Sequence, residues 1–204
     1  MEKELDLATA RFLKEQQDWE RQEEVERLLK KFDPKENTIY TLEELTEGIR
    51  KGEQQLYTEL LKFEQRRLLD GRITVPYIMD FFDLELDEPE SAFFVSNRNT
   101  SAMTIADVPC EKVMQPLEEW ITGIIEPLKE YHWHMKPTKK KSMGSMEYFC
   151  FVMPTAKGKL YNVMFRYHKA GRLYVGAMNC PEEEKDGMGL LLEAMVYVIV
   201  ELNR

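Results

Sequence analysis

MEYFCFVMPTAKGKLYNVMFRYHKAGRLYVGAMNCPEEEKDGMGLLLEAMVYVIVELNR, residues 146–204, decides how the chain folds. It divides into EYFCFVM, KLYNVMFRYH and RLYVGAMN, then GLLLEAMVYVIVEL. Side chains of a strand alternate between two faces, so Tyr161, Val163, Phe165 and Tyr167 share one wholly apolar or aromatic face. Leu160, Asn162, Met164, Arg166 and His168 share a mixed one, as in an antiparallel sheet with one covered and one wetter side. Tyr148, Cys150 and Val152 alternate with Phe149, Phe151 and Met153; that strand is apolar on both faces and is expected to be central or covered.

Pro154 to Lys159 and Lys169-Ala-Gly-Arg172 reverse the chain, the second with Gly171 free to take a positive φ. Asp186 is placed as the N-cap of the last helix. That segment is apolar on nearly every side from Leu190 to Leu202; the β-branched Val196 to Val200 would also suit a strand, but the strong helix formers Leu190 to Met195 favour a helix buried between the sheet and a second layer. It is too short for a bilayer, which needs roughly 20 apolar residues.

Upstream, Pro116 opens a helix whose buried side is Leu117, Trp120, Ile121, Ile124, Ile125 and Leu128, with Pro127 kinking or ending it. The back half therefore reads as a helix–three-stranded antiparallel sheet–helix layer with its helices on one face. Before it, residues 1–32 read as a long helix. Leu5, Ala8, Phe12 and Trp19 lie on one side, and Val25, Leu28, Leu29 and Phe32 on a side roughly 140° away at 100° per residue. Asp33-Pro34 breaks it, and the segment lacks the glycine and ligand spacing of a calcium loop.

Thr41-Leu-Glu-Glu44 is a capping box for a second helix, about 42–70, with Leu42, Leu45, Ile49, Leu56, Leu60 and Phe63 on one narrow stripe. The fold class expected is α+β: an N-terminal antiparallel helical hairpin, then the helix–sheet–helix layer. Thr74 and Pro76 suggest a short helical segment from Val75 to Phe82. Asp83 to Glu90 is acidic, and only Phe93-Phe94-Val95 suggests a strand in 91–111. The division expected is an acidic helical region 1–90, a linker 91–111 and an α+β domain 112–204.

The charge is lopsided. Residues 1–90 hold 14 Lys+Arg and 24 Asp+Glu, while the remainder is nearly balanced. Such a front disfavours direct nucleic-acid binding and suits a partner with a basic surface. Three separated cysteines without C-x-x-C spacing, a charged N-terminus and no apolar span suggest a reduced, cytoplasmic protein without a membrane segment.

Chemistry is sparse. His132 and His134 point one way if extended, but no second motif adds a third ligand from Cys150, Cys180 or His168. Cys150 and Cys180 sit in apolar surroundings that disfavour a thiolate. No P-loop, G-x-G-x-x-G or G-x-S-x-G occurs, and Gly187-Met-Gly189 is too little for an anion site. Lys136 and Lys139 to Lys141 form a basic loop beside Tyr131 and Trp133.

The function expected is a non-enzymatic protein-binding module, an inhibitor, adaptor or chaperone, with no cofactor and with Phe12, Trp19, Phe81 and Phe82 as partner anchors. Two alternatives stand beside it. One is a metal-dependent enzyme using His132 and His134; the other is a self-associating structural protein joined through the Leu42–Phe63 stripe as a homo-oligomer.

Overall fold

The computed structural model describes residues 38–109, 115–131 and 135–204. The expected helix over 1–32 lies outside them. Helix α1 (Leu42–Lys51) starts where its capping box demands: the Thr41 hydroxyl accepts from the Glu44 N–H, and Glu44 reaches back to the Thr41 N–H. Its continuation to residue 70 does not occur. Gly52 turns left-handed at φ 87° and ends α1 after ten residues. The chain then forms strands β1 (Glu53–Leu56) and β2 (Glu59–Leu68). Leu61 and Phe63 are buried two apart, whereas Leu60, expected on the helical stripe, is exposed. The helical spacing of that stripe was coincidental beyond Gly52, and no antiparallel helical hairpin is present among the described residues.

Strand β3 (Ile73–Ile78) replaces the helical segment expected after Thr74. Pro76 stands opposite Gln65 in an edge strand, where a missing N–H is tolerated. Strands β1, β2 and β3 form a small antiparallel sheet.

The acidic stretch and the expected linker also pair. They form β4 (Phe82–Asp87), β5 (Ser91–Ser96) and β6 (Ala102–Val108). After helix α2 (Leu117–Leu128) come β7 (Pro137–Met143), β8 (Met146–Thr155), β9 (Gly158–Lys169) and β10 (Arg172–Pro181). The sheet order is β4-β5-β6-β10-β9-β8-β7, antiparallel throughout. The three-stranded sheet expected is thus an inner part of a seven-stranded one, with three strands on one side and one on the other, and the fold is mostly β rather than α+β. The basic loop is β7, an edge strand, a place where lysines discourage unwanted pairing.

Helix α3 (Leu190–Leu202) closes the chain as expected, but without Asp186 as its cap. A 3-10 turn (Glu182–Glu184) and a π turn (Lys185–Gly189) lead into it. The glycines there answer to packing: a Cβ on Gly187 would lie 2.0 Å from the Tyr57 hydroxyl, and one on Gly189 2.7 Å from the Tyr161 ring.

The two faces of the large sheet are covered differently. The inner face presents Tyr148, Val163 and Phe165 toward α3, which also packs on α1 and β3, while Phe94 packs on Tyr77 of β3 in the same core. This explains why α3 is buried from Leu191 to Val196 with no polar side but Glu193. Asn203 pins its end, accepting from the Thr74 N–H (2.9 Å) and donating to Thr74 and Ile199 carbonyls (2.6 and 2.7 Å). Helix α2 lies on the opposite, outer face, where Ile121 and Ile125 pack on Phe149 and Phe151. The helices therefore take both faces, not one, because β8 is apolar on both.

Candidate binding surface

Cross-strand register brings one row of outer-face residues together: Leu86, Phe93, Thr104, Ala177, Met164 and Phe149, running from β4 to β8. At the β8 end Phe149 is wholly buried, edge-on to Trp120 of α2 at 5.2 Å. At the β4 end Leu86 and Phe93 are 38% and 39% exposed. Val95, Ala102, Ala106 and Val175 flank that open end and are half-buried. The outer face is one apolar surface, half roofed by α2 and half open among the described residues.

The open half borders a strongly acidic edge. From Ile73 to Asn97 there is no lysine or arginine, and Asp80, Asp83, Glu85, Asp87, Glu88 and Glu90 are all exposed. None of the six is ion-paired among the described residues.

On the inner face, Glu193 is 2% exposed and receives hydrogen bonds from the hydroxyls of Tyr148 (3.0 Å) and Tyr161 (2.9 Å), with Lys139 Nζ at 2.5 Å. Burial pushes both phenols above their ordinary range. The group joins α3, β8, β9 and β7 through satisfied polar atoms, so it acts as a buried tie. Nearby, burial and then the Glu193 charge push the Cys150 thiol up to about 12, and burial raises Cys180 as well. Both thiols are buried and stay protonated at neutral pH, which makes them poor nucleophiles. On the outer face, Arg166 is 3% exposed, bonded to Glu147 and to the Gln115 carbonyl and stacked 4.8 Å from the Trp120 ring.

Of the expected anchors, Phe12 and Trp19 lie outside the described residues. Phe81 and Phe82 are 3% and 1% exposed, edge-on to each other at 4.8 Å within the core. Leu45, Ile49, Leu56 and Phe63 of the expected oligomer stripe are likewise buried in the chain's own core. His132 and His134 lie outside the described residues, among which no group of three or more His, Cys, Asp or Glu is placed to hold a metal. The lysines of β7 already have partners: Lys139 on Glu193, Lys140 on Glu118, and Lys141 over the Tyr197 ring. No described helix is long and apolar enough to cross a membrane.

Sequence reasoning misses the open face because within 91–111 it offers only Phe93-Phe94-Val95 as a strand and takes the rest as a linker. SAFFVS and AMTIADV do carry a period-two signal, with Ala92, Phe94, Met103 and Ile105 turned inward. Glu193 was visible too, as the lone charge in LLLEAMVYVIV.

No protein-family model matches this chain, and no curated protein does. Among solved structures, a Pseudomonas aeruginosa protein of unknown function superposes with a TM-score of 0.37 at 8% identity, covering 60% of this chain and 85% of that one. Such a likeness is too slight to carry an argument about either fold or function.

Proposed function

We propose that this chain is a non-enzymatic protein-binding module, acting on a partner as an inhibitor, adaptor or chaperone. One observation carries the reading: the apolar half-face around Leu86 and Phe93 is left open among the described residues, beside six exposed acidic residues. Scattered exposed apolar residues need no explanation, but a contiguous sheet face does. The acidic border favours a partner with a basic surface and speeds its approach. The inner polar cluster supports the non-enzymatic part of the reading, since its donors and acceptors are satisfied by one another. Two buried free thiols suit a reducing, cytoplasmic setting.

The test is site-specific cross-linking. A photoreactive phenylalanine analogue replaces Phe93, and a control analogue replaces Lys157 in the β8–β9 turn. Irradiation is done in the native cells and adducts are identified by mass spectrometry. A discrete partner captured from position 93 and not from position 157 is expected. Equal, diffuse labelling from both positions would remove the basis for the proposal.

A further inference from the structure

We infer that the open half of the outer face receives an amphipathic helix of another protein, laid with a basic flank along β4. This deepens the protein-binding reading and rests on it.

The strand edges are poor alternatives. Edge β4 is interrupted by a register shift between Leu84 and Leu86 and lined with acids; edge β7 shifts between Pro137 and Lys139 and carries lysines. Bulges and charges of this kind discourage addition of a further strand. The face is what remains, and its shape favours a helix. Strands β4, β5, β6 and β10 span about 14 Å at their usual spacing. One helix with its side chains is about 10–12 Å across. Ala102, Thr104, Ala106 and Ala177 give a shallow floor beside the Leu86–Phe93 ridge, so a helix can approach the sheet closely. The chain itself roofs the other half of this same face with α2, using Ile121 and Ile125 as knobs.

Charge then sets the orientation. A helix on this floor has one flank above β4 and the other toward α2. On β4, Asp83 stands opposite the outward Val95 and Glu85 lies at the bulge beside Leu86, so the flank above them needs Lys or Arg; Asp87, opposite the inward Ala92, instead accepts from the Leu69 N–H. These acids are exposed, so they contribute to association and register more than to raw affinity, and salt weakens them.

The probe is a pair of labelled synthetic helices of about five turns, roughly 18 residues. Both have one leucine stripe; one carries lysines along a flank and the other glutamates in the same places. Binding to the full chain is read by fluorescence anisotropy. The lysine peptide is expected to bind about tenfold or more tightly than the glutamate peptide at low salt, with the gap closing as salt rises. Phe93→Asp should lower that affinity by about tenfold or more, with unfolding temperature unchanged; Thr104→Arg should do the same from the floor.

Equal binding of the two peptides, no binding of either, or binding indifferent to both substitutions would overturn the inference. So would a concentration-dependent dimer that Phe93→Asp abolishes, since a second copy would then occupy the face. A partner cross-linked at position 93 through an extended segment would sink the helical occupant while leaving the protein-binding reading intact.

Discussion

Replacing Glu193 by alanine should destabilise the protein more than replacing it by glutamine. The carboxylate accepts from Tyr148 on one oxygen and from Tyr161 on the other, while Lys139 pairs with the Tyr148-bound oxygen. Burial keeps both phenols protonated, so both remain donors. Alanine leaves two buried hydroxyls without their acceptor, at about 1–3 kcal/mol each, or about 4 kcal/mol together. The side chain of Lys139 is 43% exposed and can turn to water, so its released charge adds little.

Glutamine keeps one oxygen for one phenol and offers an NH2 to the oxygen of the other. It loses the half-exposed ion pair and the acceptor of one phenol O–H, which keeps a hydrogen bond only through its oxygen, together about 2 kcal/mol. Domains of this kind have about 5–15 kcal/mol in all, so the alanine variant forfeits a large share. Urea unfolding followed by far-UV circular dichroism measures the difference. With m about 2 kcal/mol/M, the midpoint should fall by about 2 M for Glu193→Ala and about 1 M for Glu193→Gln. Equal midpoints for the two variants would refute the reasoning, because the lost charge and not the lost acceptors would then dominate. An alanine cost under about 1 kcal/mol would do so as well, showing the phenols able to find other partners.

Three further outcomes follow from the packing and the polar ties. Gly176→Ala places a Cβ 2.2 Å from the buried Phe165 ring; overpacking of this sort costs about 1–3 kcal/mol, read as a lower melting temperature in scanning fluorimetry. The Cys150 thiol is pushed from 9.0 up to about 12, so the folded protein holds a proton that the unfolded chain releases between those values. Its contribution is complete below pH 9 and is lost as pH rises toward 12; urea midpoints should fall across that window, less steeply in Cys150→Ala. Arg166→Lys gives up the planar contact with Trp120 and the fork on Glu147, and is expected to cost about 1–3 kcal/mol by urea titration, since a point charge replaces neither.

How much of this was legible depends on how locally each feature is determined. The β8–β10 hairpins announce themselves through alternation and turn glycines, and α3 through a continuous apolar run. The capping box fixed the start of α1 for the same reason, since its bonds span three residues. The stretch after Gly52 was ambiguous: Leu56, Leu60 and Phe63 fit a helix while Leu61 and Phe63 fit a strand. What decides between them is the partner β3, which local sequence does not reveal. The outer face failed for a similar reason. Phe93 becomes a surface residue only through its place between Leu86 and Thr104, a relation made by register across three strands.

That register also separates what folds the chain from what the chain offers. In β5, Ala92 and Phe94 are wholly buried on the inner face, while Phe93 between them is 39% exposed. Truncating Phe94 would open a cavity at about 3–5 kcal/mol, whereas truncating the partly exposed Phe93 leaves a site open to water and is expected to cost less. A large aromatic that does little for the fold but occupies the exposed rung of an apolar row is hard to account for by stability alone. The same holds for Leu86, its cross-strand neighbour. Mutations at these two positions can therefore report on binding without confounding loss of fold, which is what makes the outer face testable in the intact chain.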